Sequence, residues 1–178
     1  MRIIKFRGKR IDNGEWVYGM PYSFKIFVDF RKHESDCILM FNPEWDLEAQ
    51  FNFLKDPVAF SHLKDSIWKV IPETVKQYTG QKDKHGQASY QDDIIRVEDY
   101  KNDGAMNYCV VEWLDSYGQF LLKRYKVITK DGRVFTGELA DCGFRFEDVE
   151  MATLEIIGNL TDNPGLVESD TKSKKGSK

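Results

Sequence analysis

The chain has 178 residues, room for one ordinary domain or two small ones. Hydrophobic residues make up 41% and charged residues 31%, the balance of a globular chain with a core, and no apolar run approaches the length of a membrane-spanning helix. The formal net charge of −3 is unevenly spread. Residues 1 to 10 carry Arg2, Lys5, Arg7, Lys9 and Arg10 with no acid, and residues 169 to 178 carry four lysines against Asp170, so the body between stands at −11 once the ends' +8 is removed. Basic ends on an acidic body disfavour a broad nucleic-acid groove, which needs a contiguous positive face.

The opening alternates apolar and basic residues and never builds the solid apolar block of a secretory signal, so a cytoplasmic location is expected. Cys37, Cys109 and Cys142 are odd in number and widely spaced, with no C-x-x-C pair, which argues against a disulfide framework or a zinc site and for buried, inert thiols.

Taken in chain order, Ile4 and Phe6 alternate with Lys5, Arg7 and Lys9 as in a half-buried strand, and Asp12-Asn13-Gly14 signals a hairpin turn into Trp16-Val17-Tyr18, which Gly19 is expected to end. Phe24 to Phe30 and Cys37 to Phe41 read as strands around a polar turn at Arg31 to Asp36. Asn42, Pro43, Glu44 and Asp46 form a helix start, and Leu47, Phe51 and Leu54 fall at helical spacing, predicting one short helix near 43–55 that Asp56-Pro57 stops. Ser66 to Ile71 reads as a strand closed by Pro72.

Residues 72 to 97 are dense in turn chemistry. Asp83-Lys84-His85-Gly86 is a turn tetrad in which Asp can bond its own backbone, and Gly80 and Gly86 relieve turns. Ile94, Ile95 and Val97 follow as a strand. Tyr108 to Trp113 and Gln119 to Leu122 flank a hairpin loop, Lys126 to Thr129 and Arg133 to Thr136 flank Asp131-Gly132, and Leu154 to Ile157 is the last strand before Asp162-Asn163-Pro164-Gly165. One further arrangement would pair the N-terminal hairpin with the strand at Ile156. The class implied is mainly β: small β-barrel or sandwich units built from hairpins, with one short helix in the N-terminal half. The expected organisation is an N-terminal β region over 1–71, a barrel-like region over 72–167 and a disordered tail over 168–178.

Several of these residues resemble the YopX family of phage and prophage proteins. The resemblance rests on Lys5-Phe6-Arg7-Gly8-Lys9-Arg10 with Gly14-Glu15-Trp16-Val17-Tyr18-Gly19; on Pro72-Glu73-Thr74-Val75, Gln77-Tyr78-Thr79-Gly80, Lys82-Asp83-Lys84 and Gly86; and on Glu155-Ile156-Ile157-Gly158-Asn159 with Asp162-Asn163-Pro164. Where the family has a Tyr-Glu-Gly-Asp run, this chain reads Tyr90-Gln91-Asp92-Asp93, and Asp tolerates the left-handed backbone that the glycine would supply. The resemblance implies a mainly β protein of a phage or prophage, acting in a bacterial host cell, and implies no activity.

No catalytic motif stands out, and no cofactor or metal is expected. The leading expectation is a non-enzymatic module that self-associates or binds a host or phage protein, given the 13% aromatic content. The binding candidates are Arg7, Lys9, Arg10, Trp16, Tyr78 and Tyr90. The alternative is a nucleic-acid-binding β-barrel in which Arg7, Lys9 and Arg10 take phosphates while Trp16 and Tyr18 stack on bases. A third reading, a hydrolase or metal enzyme using Asp92, Asp93 or His85, is weak because adjacent residues of a strand point to opposite faces.

Overall fold

The alternation of the first segment becomes strand β1 (Phe6–Lys9), which folds back through the Asp12-Asn13-Gly14 turn onto β2 (Trp16–Phe27). The computed structural model describes residues 4–27, 34–41, 67–99, 104–136, 144–149 and 153–168. Gly14 takes the positive φ that the turn requires, and its N–H closes on the Arg10 carbonyl. Gly19 does not end β2. It pairs with Phe6 and is buried, and the strand runs on, exchanging β1 for β3 (Glu34–Phe41) as its partner from Met20 onward. The ladder to Phe6 holds this buried glycine in the strand despite its weak β preference, so the expected break is corrected. The turn expected over Arg31 to Asp36 is likewise shorter at its end, because β3 already begins at Glu34.

The chain divides into two compact units, Met1–Gln77 and Tyr78–Lys178. In the first, β4 (Ile67–Val70) pairs with β3, and the antiparallel order is β4-β3-β2-β1, with the first residues of β5 (Lys76–Lys82) against β1. Val17, Met40 and Val70 form its buried centre, with Phe6, Trp68 and Val75 packed around them. Gly8 lets β1 approach closely: a Cβ there would stand 3.2 Å from Val70. Pro72–Thr74 forms a single 3-10 turn after β4.

In the second unit the remainder of β5 pairs with β6 (Ala88–Tyr90) across the Asp83 turn. An antiparallel sheet then runs β10-β9-β8-β7-β12, made of β7 (Asp93–Asp99), β8 (Ala105–Leu114), β9 (Gln119–Ile128), β10 (Val134–Thr136) and β12 (Glu155–Asn159), with the two-residue β11 (Phe144–Arg145) also against β9. The segments 119–122 and 126–129, read separately from sequence, join in one strand that ends at Ile128, with a register shift opposite Tyr108 and Cys109 that accommodates Tyr125. One face of this sheet carries the core of Ile95, Val97, Cys109, Val111, Phe120 and Leu122, closed by Phe146 and Leu154.

The protein is therefore mainly β, in two antiparallel sheets, and no strand pair closes a barrel among the described residues. β12 pairs with β7 and β1 with β2 and β5, so the N-terminal hairpin is not the partner of the Ile156 strand. The helix expected near 43–55 and the tail from 169 onward lie outside the described residues; the one α-helical element described is the turn α1 (Gly165–Glu168).

Candidate interaction face

Period-two alternation sorts the β1–β2 hairpin into two faces. Phe6, Gly8 and Val17 turn toward the first unit's core. Arg7 and Lys9 of β1 lie on the other face with Trp16, Tyr18 and Met20 of β2, since Lys9 pairs with Trp16 and Arg7 with Tyr18. Lys76, paired with Arg7 across the other side of β1, joins them, and Lys5 continues the row one step before the strand. Among the described residues the face thus combines four cations, two aromatics and a methionine.

Its centre is Trp16. The Arg7 guanidinium lies 4.6 Å from the centre of the Trp16 ring and the Lys9 ammonium 5.6 Å, both within cation–π range. Arg7 is only 6% exposed, whereas Tyr18 and Met20 present 49% and 42% of their surface. Strand β1 is held from its flank by the Pro72–Thr74 turn. The Thr74 hydroxyl accepts the Lys9 N–H at 2.8 Å and donates to the Ile71 carbonyl at 2.7 Å, while Ile71 N–H reaches the Lys9 carbonyl at 2.8 Å. Among the described residues, the face shows no nucleophile–base pair.

The other candidates lie elsewhere. Arg10 makes a two-pronged pair with Asp12, Nε to Oδ1 at 2.8 Å and a second contact from Nη2 to Oδ2, which holds the Asp12 carboxyl below its ordinary range. Tyr78 and Tyr90 face each other across β5 and β6 in the second unit, both buried, with ring centres 5.6 Å apart. They form a packing pair. Met20 and Lys76 were missed from sequence; the Trp16, Tyr18, Met20 spacing was there to be read once the strand ran through Gly19.

The acids of the third reading have backbone partners. Asp93 is fully buried and accepts the Tyr90 N–H at 2.7 Å. Asp92 adopts a φ of 65°, its N–H donating to Val111 and its carbonyl accepting from Leu160. His85 is exposed in the Asp83 turn, where Asp83 Oδ1 accepts the N–H groups of His85 and Gln87. Among the described residues, no three His, Cys, Asp or Glu side chains gather as metal ligands. Burial pushes the Cys109 thiol up to about 12, outweighing the nearby Arg124 charge, so it is protonated and inert at neutral pH.

The YopX family model, described as YopX protein, matches residues 5–168, nearly the whole chain. The chain belongs to the YopX family. No curated protein matches it. The YopX motifs separated in sequence meet in pairs in this fold. The first supplies Lys9 and Gly8 to the turn and strand that carry Thr74 and Val70. The Lys82-Asp83-Lys84 motif meets the last one, where Lys84 Nζ binds Glu155 Oε2 at 2.6 Å and the Lys84 N–H reaches the Leu154 carbonyl. Among the described residues, no helix is long and apolar enough to cross a membrane.

Proposed function

We propose that this YopX-family chain is a phage- or prophage-encoded accessory protein, acting in the bacterial cytoplasm as a non-enzymatic protein-interaction module, and that the outer face of the β1–β2 hairpin is its binding surface. The observation that carries this reading is Trp16 flanked by Arg7 and Lys9, with exposed Tyr18 and Met20 beside it. Trp, Tyr, Met and Arg are the residues enriched at protein interfaces and, Met aside, at their energetic hot spots. A preset guanidinium–indole stack also loses little side-chain freedom on binding.

A nucleic-acid reading draws on the same cations. It is less favoured because a base would need a ring face that Arg7 and Lys9 already approach, and because Arg10 is engaged by Asp12. The test is affinity capture from a lysogenic host with the native chain and with a Tyr18→Ser/Met20→Ser variant whose circular dichroism is native. A protein retained by the first and lost from the second is expected. Equal recovery on both, or nucleic acid as the only retained material, overturns the proposal.

A further inference from the structure

Asn13-Gly14 is the one Asn-Gly step in the sequence, and it stands at the exposed tip of the β1–β2 hairpin. This pair of residues carries its own covalent chemistry. The backbone nitrogen after an asparagine can attack the side-chain amide carbon and close a five-membered imide ring, and glycine, without a Cβ, hinders that approach least. The tip is also open, since a Cβ built on Gly14 would meet nothing within 4 Å. Other asparagines are less apt. Asn163 precedes Pro164, which has no N–H to attack with, and Asn107 and Asn159 precede the bulky Tyr108 and Leu160.

The folded turn restrains both reacting groups. The Gly14 N–H donates to the Arg10 carbonyl at 3.1 Å, which ties down the nucleophile. Glu15 holds the Asn13 amide twice: Asn13 Nδ2 donates to Glu15 Oε2 at 2.7 Å, and Asn13 Oδ1 accepts the Glu15 N–H at 3.0 Å. Nδ2 is the atom that must leave as ammonia, so its bond to Glu15 has to break before the ring can form. The contact to the Glu15 side chain therefore stabilises the starting amide and slows its loss.

We infer that Asn13 is a site of spontaneous deamidation through a succinimide, and that Glu15 holds its rate down in the folded chain. The Gly14 nitrogen gives its proton to solvent base and bonds to Asn13 Cγ; the Cγ–Nδ2 bond breaks and Nδ2 departs as ammonia. Water then opens the ring at either carbonyl, leaving an aspartate or an isoaspartate at this position. One water is consumed and one ammonia released, with no change of oxidation state. The product sets a carboxylate against Glu15 where an amide donated, and the isoaspartate form adds a methylene to the main chain of the turn that fixes the β1–β2 register. The inference is independent of what the outer face of the hairpin binds.

The test incubates the purified full chain in warm, mildly alkaline buffer and reads peptides by mass spectrometry, with methylation by an isoaspartyl methyltransferase to count isoaspartate. The mass gain of amide-to-acid conversion is expected first in the peptide carrying Asn13, with isoaspartate present. It should run several-fold faster in a Glu15→Ala variant whose circular dichroism is native, and several-fold faster in the native chain unfolded in urea. Glu15→Gln, which keeps an acceptor oxygen, should stay near the native rate. In urea, where folding no longer matters, Gly14→Ala should slow the conversion several-fold. Earlier conversion at another asparagine overturns the inference, as does an unfolded chain no faster than the folded one. A folded Glu15→Ala variant that converts at the native rate or more slowly overturns the role of Glu15.

Discussion

Glu155 shows how a single side chain ties distant parts of the second unit together. Its Oε2 receives both Lys84 Nζ and Arg96 Nη2 at 2.6 Å, and these two hydrogen bonds, with Lys84 the larger cause, lower its carboxyl from 4.5 to about 2. A carboxyl more acidic in the folded chain than in the unfolded one adds stability at pH values above its unfolded value and loses it as pH falls toward its folded value. The stability difference between the native protein and Glu155→Gln should therefore be constant above about pH 5 and shrink between pH 4.5 and 2. Urea titrations across that range check it, and a gap that widens toward low pH contradicts the assignment. At this scale the sequence was readable where backbone geometry restricts residue type. Asp92 was expected to tolerate a left-handed turn and has a φ of 65°. The Glu155 clasp was not readable, because an ion pair between residues 71 positions apart leaves no local pattern.

Among the elements, β12 ends the second sheet, and its outer edge is occupied by the Asp83 turn. Lys84 N–H bonds the Leu154 carbonyl, Asp83 Oδ2 accepts from the Ile156 N–H at 3.4 Å, and farther along Asn163 Oδ1 accepts from Asn159. An unpaired strand edge is a template for association, and this turn covers it. Asp83→Ala strips the acceptor from three backbone N–H groups and should cost about 1 to 3 kcal/mol in urea unfolding, with light scattering appearing earlier on heating. Asp83→Asn, which keeps one carbonyl oxygen, should fall between. Unchanged stability in the alanine variant would remove the turn's role as an edge cover. The turn itself was legible from Asp83 to Gly86, as were the Asn13-Gly14 and Asp131-Gly132 turns, since each carries its own backbone chemistry. Strand continuity was less legible. Gly19 was read as a stop and 119–128 as two pieces, because a ladder partner decides whether a glycine or a bulge interrupts a strand, and partners are set at a distance.

For the molecule as a whole, the mainly β class followed from turn spacing, and family membership from three separated motifs that the match over residues 5–168 joins into one. The proposed face was half visible: Arg7, Lys9 and Trp16 were singled out, but which residues share it needed the register of β1 against β2. The division between the compact units falls at Gln77 and Tyr78, inside β5. Lys76 and Gln77 are laddered to β1, and Tyr78 and Lys82 to β6. A peptide bond enters a protease cleft only when local unfolding frees it, and bonds inside a paired strand open least. Trypsin should therefore spare the Lys76–Gln77 bond while exposed lysines elsewhere are cut, so that brief digestion releases no pair of fragments meeting there, and shortened clones ending at that junction would have to divide a strand to exist.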